Sequence, residues 1–142
     1  MNRDLYNQRI IEAARRAREQ QPLDAPDIRV TRDNPLCGDR ITLDLQLEDG
    51  RIAAIGHRTR GCLLTEAAAA ILAERGRDAT LQTLRRVRDD LARLLAGEMV
   101  EPVWPELAVF RPVAEVKSRH ECVLLPFDAA LDALSRAARE TS

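Results

Sequence analysis

Arg40-Ile41-Thr42-Leu43-Asp44-Leu45-Gln46-Leu47-Glu48-Asp49-Gly50 is the stretch from which the fold is read. Ile41, Leu43, Leu45 and Leu47 alternate strictly with Thr42, Asp44, Gln46 and Glu48, the period of a strand with one buried face. Asp49-Gly50 then supplies the two positions of positive φ that a tight type I′ turn requires. Arg51 to Thr59 is the returning strand, with Ile52, Ala54 and Gly56 expected on the buried face. A two-residue turn makes the pair antiparallel, so Thr59 comes back beside Arg40. Cys37 and Cys62, 25 positions apart, are thereby expected at one end of the hairpin.

Upstream, Asp27 to Thr31 alternates weakly, as an edge strand or extended chain does. Gln21 to Pro26 is a connector with two prolines. Asn2 to Gln20 has helical spacing in Leu5, Ile10, Ala13, Ala14 and Ala17. Downstream, Leu63 to Glu74 is apolar nearly all round, as an interior helix is, and Gly76 stops it. Thr80 is the expected N-cap of Leu81 to Ala96, whose stripe is Leu84, Val87, Leu91, Leu94 and Leu95, with Gly97 as terminator. Glu98 to Pro112 reads as a connector with a short helical turn at Pro105 to Phe110. Glu121 to Arg139 is the final helix, carrying Leu124, Leu125, Ala129, Leu131 and Leu134 at helical spacing. Pro126 belongs near its first turn. This order predicts an α+β fold: a small antiparallel sheet of two to three strands with helices packed on one face. Residues 1–142 fit a single domain.

Composition excludes several functions. A formal charge of −1 gives no general attraction to nucleic acid or anionic lipid. Lys117 is the only lysine among 22 basic residues, and the arginines are interleaved with Asp and Glu. Four aromatics leave little for base stacking, so no nucleic-acid partner is expected. No apolar run approaches the ~20 residues of a membrane span, and Met1 to Asp4 lack a secretory pattern. The expected compartment is the cytoplasm. There thiols stay reduced, and three cysteines cannot all pair within one chain.

Each cysteine sits where a periodic segment starts or stops, in Asn34-Pro35-Leu36-Cys37-Gly38-Asp39, Gly61-Cys62 and Arg119-His120-Glu121-Cys122. Cys62 and Cys122 fall at helix starts, where unpaired N–H groups and the helix dipole favour a thiolate, so both are expected to ionise below the usual ~8.5. Gly38 permits a bend that turns the Asp39 carboxylate toward the centre Cys37 faces. Three thiolates and a carboxylate suffice for tetrahedral zinc or for a two-iron cluster. Arg119 is placed to offset their excess negative charge. The same residues also fit a plainer account: buried small apolar cysteines, an Asp39 that caps a turn and a solvated Arg119. His57 is expected on the surface, and His120 as an exposed histidine at a helix start.

The Asn-Pro-x-Cys-Gly-Asp segment, the Gly-Cys at its 25-residue interval and the single Cys122 opening the last helix resemble the U-type iron–sulfur cluster assembly family: IscU, the NifU N-terminal domain and SufU. The resemblance runs from about Leu5 to Leu134. The 60-residue interval from Cys62 to Cys122, with Arg119 three residues before the last cysteine, is similar to the SufU branch. It implies an α+β scaffold rather than an enzyme. It also implies zinc at Cys37, Asp39, Cys62 and Cys122, and a Cys37 that accepts persulfide sulfur from a cysteine desulfurase for a later recipient of sulfur or cluster. In the IscU-like form, the same residues would hold a [2Fe–2S] cluster. The chain departs from the family at Ala67-Ala68-Ala69-Ala70, where Ala-Ser-x-Ser is common, and at Ala13-Ala14-Arg15-Arg16-Ala17, where His-Tyr-x-x-Pro is usual. Both departures bear on partner contacts. A thiol enzyme using Cys122 with His120 as base is the reading from another class.

Overall fold

In chain order the elements are α1 (Gln8–Glu19), β1 (Ile28–Asn34), β2 (Asp39–Glu48), β3 (Arg51–Arg60), α2 (Leu63–Arg75), α3 (Leu81–Leu95) and α4 (His120–Thr141). A 3-10 stretch covers Pro105–Glu115, and a 3-10 turn covers Lys117–Arg119. The structure is a computed structural model that describes residues 7–141. The expected helix start at Asn2, and Leu5 with it, lies outside them.

β2 is the central strand of an antiparallel sheet ordered β1-β2-β3, so the expected two to three strands are three. Asp49 (φ 53°) and Gly50 (φ 77°) form the tip of the second hairpin as the turn chemistry requires. A register shift follows: Gln46 faces Ala54 and Leu47 faces Ile52, which leaves Ala53 as an extra residue. That bulge inverts the pleat of β3. Beyond it Ile55, His57 and Thr59 oppose Leu45, Leu43 and Ile41 on the inner face, and Ala54 and Gly56 turn outward. His57 is therefore buried, contrary to the surface position expected for it. Its Nε2 lies 2.7 Å from Gln20 Oε1 and its Nδ1 2.8 Å from Thr59 Oγ1. Burial lowers its pKa from the usual histidine value.

The outer face of the sheet is partly covered as well. The connector after α1 crosses it so closely that a Cβ on Gly56 would lie 2.5 Å from the Gln21 carbonyl oxygen. Asp44, next to Gly56 in the register, is fully buried beneath that connector. Its carboxylate accepts from Leu23 N–H at 3.0 Å and from Arg29 Nε and Nη2 at 2.6 and 3.0 Å. A buried charge so fully hydrogen-bonded is tolerated where a bare one is not.

Helices cover the inner face. α1 packs chiefly on α2, through Ile10, Ala13, Ala14 and Ala17 on its own side. α2 is buried continuously from Leu64 to Leu72. The alanines of both segments that depart from the family pattern are thus core residues, where small side chains allow close helix approach. Arg18 makes a two-pronged ion pair with Glu66 across the α1–α2 seam, 3.0 Å at each contact. Its guanidinium is largely exposed, so solvent screening leaves the pair a minor contributor to stability.

The segment after α3 is more ordered than a connector. Trp104, Leu107, Phe110 and Val113 are all buried and recur at every third position. A 3-10 helix, with 3.0 residues per turn, is what places such a set on one stripe. Trp104 stacks obliquely on Phe127 of α4 with ring centroids 6.2 Å apart, which anchors the stretch to the helix that carries Cys122. Among the described residues, no helix is long and apolar enough to cross a membrane.

Candidate metal centre

β1 runs further than Thr31, to Asn34, and pairs with β2 up to Asn34 opposite Asp39. The Pro35-Leu36-Cys37-Gly38 segment is therefore the loop of a hairpin. Asn34 builds that loop: its carbonyl accepts from Gly38 N–H at 2.8 Å and Cys37 N–H at 3.2 Å, and its Oδ1 accepts from Leu36 N–H at 3.2 Å. Gly38 takes φ 74°, a conformation that suits glycine. Cys37 is left exposed at the tip, with Leu36 beside it. The Asn34 Nδ2 is buried with no hydrogen-bond partner among the described residues.

Asp39 opens β2 with its side chain inward and is 3% exposed. Its Oδ1 accepts from Cys62 N–H at 3.3 Å, and its Oδ2 accepts from the Thr65 hydroxyl at 3.0 Å. Cys62 is the N-cap residue of α2 and makes no side-chain cap of its own. Asp39 serves in its place, a carboxylate at the positive end of a helix. Gly61 makes room, since a Cβ there would stand 2.5 Å from Asp39 Oδ1.

Cys122, third residue of α4, is fully buried, and its Sγ lies 3.8 Å from Cys37 Sγ. One ligand atom each from Cys37, Asp39 and Cys122 falls within 4.8 Å of the others. Cys62 is half-buried at the edge of this group and outside it, its Sγ 3.5 Å from Thr65 Oγ1. Three of the four expected ligands are thus gathered, and the fourth is adjacent. Two sulfurs held about 2.3 Å from a tetrahedral zinc stand ~3.8 Å apart. That matches the Cys37–Cys122 spacing and is far too long for a disulfide. Soft thiolates with one carboxylate also form a donor set zinc accepts.

One electrostatic expectation is reversed. Burial pushes the Cys122 thiol pKa up, with Asp39 and Cys62 adding to the rise. A helix start favours a thiolate by only ~0.3–1 kcal/mol, which desolvation beside other acidic groups outweighs. His120 is half-buried, not exposed, and its Nε2–H donates to the carbonyls of Val113 at 3.0 Å and Ala114 at 3.3 Å. It ties α4 to the 3-10 stretch and makes no hydrogen bond to Cys122, as a Cys122–His120 pair would need. Arg119 is half-buried in the 3-10 turn that leads into α4. Thr65, and the room Gly61 leaves for the Asp39 carboxylate, could not be read from the sequence. The signal for Thr65 was a polar, β-branched residue in the first turn of a helix that is mostly Leu, Ala and Ile.

A family model described as "NifU-like N terminal domain" matches residues 5–122. The chain is similar to "Iron-sulfur cluster assembly scaffold protein IscU" of Thermotoga maritima, 23% identical over 136 residues that cover 95% of this chain and 96% of that one. It is 28% identical to IscU 1 of Archaeoglobus fulgidus over 66% of this chain and 61% of the relative. Among solved structures, a NifU-like protein (N-terminal) from Brucella abortus superposes with TM-score 0.85 at 32% identity, covering 98% of this chain and 97% of its own. A SUF-system scaffold, FiSufU from Fervidobacterium islandicum, superposes with TM-score 0.84 at 21% identity, covering 92% and 96%, a likeness of fold.

Proposed function

This chain belongs to the NifU-like N-terminal domain family, and from that premise we propose a zinc-dependent sulfur acceptor in which Cys37, Asp39, Cys62 and Cys122 hold one zinc ion. Family membership makes it an iron–sulfur cluster assembly scaffold and not a classical enzyme. The observation that carries the finer reading is the Cys37–Asp39–Cys122 group, in which a single member, Cys37, is exposed. When bound, zinc keeps the thiols ionised and guards them from oxidation.

The residues divide the work. Cys122 and Asp39 are buried and serve as fixed ligands, and Cys62 completes the set from the start of α2. Cys37, at the tip of a glycine-bent loop, is the sulfur a partner can reach. The partner is a cysteine desulfurase carrying a persulfide. The Cys37 thiolate attacks the outer sulfur of that persulfide, the donor S–S bond breaks, and the donor cysteine leaves as a thiolate. Cys37 then carries the persulfide for delivery to a recipient of sulfur or cluster. The exchange needs no external oxidant or reductant. Arg119 lies in the turn before Cys122 and offsets the negative charge of the ligands.

Metal analysis of protein purified without added metal, joined to mass spectrometry after incubation with desulfurase and cysteine, tests the reading. One zinc per chain is expected, with a 32-dalton adduct on Cys37 that is lost in Cys37→Ser (the mass of one sulfur, about 32). Metal-free protein, or an adduct on Cys62 instead, contradicts it. The scaffold names of the Thermotoga and Archaeoglobus relatives favour a second reading, in which these residues hold a [2Fe–2S] cluster as cargo. Anaerobic reconstitution with iron and sulfide then yields a coloured protein, and a colourless Cys62→Ser; a colourless wild type eliminates it.

A further inference from the structure

Thr65 has no exposed surface, and it lies in the first turn of a helix whose other buried residues are Leu, Ala, Ile and the ion-paired Glu66. Its Oγ1 is 3.0 Å from Asp39 Oδ2 and 3.5 Å from Cys62 Sγ. A hydroxyl has one proton to give, and a carboxylate can only accept, so that proton points at Asp39. The other carboxylate oxygen is held from the same helix turn by Cys62 N–H at 3.3 Å. Gly61 leaves just the space the carboxylate fills, because a Cβ there would meet Oδ1 at 2.5 Å and Cγ at 2.9 Å. Both oxygens are therefore pinned from α2, while the carboxylate itself belongs to β2 and lies within 4.8 Å of the Cys37 and Cys122 sulfurs.

We propose that Thr65 is the positioning residue of the metal centre. Its hydroxyl, donating to Oδ2, fixes the plane of the Asp39 carboxylate, so that Asp39 enters the ligand set already oriented beside Cys37 and Cys122. The inference rests on the zinc reading above and deepens it by naming the group that aims the carboxylate ligand. An unpinned carboxylate rotates about its terminal bond and must be ordered anew when metal arrives. Outer partners that hold a ligand in place are worth roughly 10–100-fold in metal affinity. A purely structural Thr65, stitching β2 to α2, would instead alter the stability of the metal-free protein and leave metal affinity alone.

Competition between the protein and a chromophoric chelator for Zn2+ tests this in wild type, T65V, T65S, D39A and D39A/T65V, with thermal melts of each metal-free protein alongside. T65V, which keeps the shape and loses the hydroxyl, is expected to raise the zinc Kd ~10–100-fold, and T65S to restore it. In the D39A background T65V is expected to add no further loss, since its target is gone. A T65V protein with wild-type zinc affinity, or one that loses as much affinity without Asp39 as with it, overturns the role of Thr65 and leaves the zinc site standing. A wild type that binds no zinc, or a D39A protein with undiminished affinity, overturns the underlying site and this proposal with it. Should T65V not fold, Thr65→Ala takes its place against T65S in the same comparison.

Discussion

Gly61→Ala is the smallest change that reaches the candidate site without touching a ligand. Its added Cβ would lie 2.5 Å from Asp39 Oδ1, and real Cβ atoms essentially never come within 3.0 Å of a neighbour, so the oxygen must move by at least 0.5 Å. The Cys62 N–H bond to that oxygen, already 3.3 Å long, has no slack and breaks. Losing a hydrogen bond to a charged acceptor costs ~1.5–3 kcal/mol. Against this, alanine restricts the unfolded chain and returns ~0.4–1 kcal/mol, because Gly61 does not occupy the left-handed region. The loss wins by about 0.5–2.6 kcal/mol, which for a chain of this length lowers Tm by roughly 1–10 °C. Differential scanning calorimetry of the metal-free protein measures it, and zinc affinity should fall in parallel. The decisive control is the same substitution in a D39A background, where no carboxylate remains to be struck and Gly61→Ala should be neutral or slightly stabilising. An equal drop in Tm with and without Asp39 would refute the clash as the cause.

His57 predicts a pH dependence. Its folded pKa is depressed by burial, so below the unfolded value of about 6.5 the unfolded chain binds the extra proton and stability falls as pH falls. Tm should decline between about pH 6.5 and pH 5 more steeply in wild type than in His57→Gln; parallel profiles would show that the imidazole is not the group responsible. Cysteine reactivity should follow exposure and ionisation together. In metal-free protein at neutral pH, iodoacetamide read out by peptide mass spectrometry should label exposed Cys37 first, and Cys122, buried with its pKa raised, last. Early labelling of Cys122 would contradict the packing of α4 against the sheet.

What the sequence made legible was local and periodic. The alternation of β2 and the positive-φ demand at Asp49-Gly50 needed no tertiary knowledge, so the hairpin and the α+β class could be read directly. What it hid was set by partners far along the chain. The bulge at Ala53 carries no residue signature, and without it Gly56 falls on the same face as Ile52 and His57 on the opposite one. The three-residue recurrence from Trp104 to Val113 was legible in principle, yet an eleven-residue 3-10 stretch is rare enough to be passed over. Cys122 was placed correctly at a helix start but assigned the wrong ionisation tendency, because burial is a tertiary property.

Asp39 is the instructive case: the plainer account had it cap a turn before the strand, and the structure instead sets its carboxylate at the start of α2, beside Cys37 and Cys122. α2 begins at Cys62 with no side-chain cap of its own, and the carboxylate that caps it comes from β2. The bonds that start the helix therefore also hold the carboxylate beside Cys37 and Cys122. Uncapping α2 should disperse the Cys37–Asp39–Cys122 group, whereas damage at the Asp49-Gly50 tip, at the opposite end of the sheet, should cost stability and leave the spacing of the sulfurs unchanged.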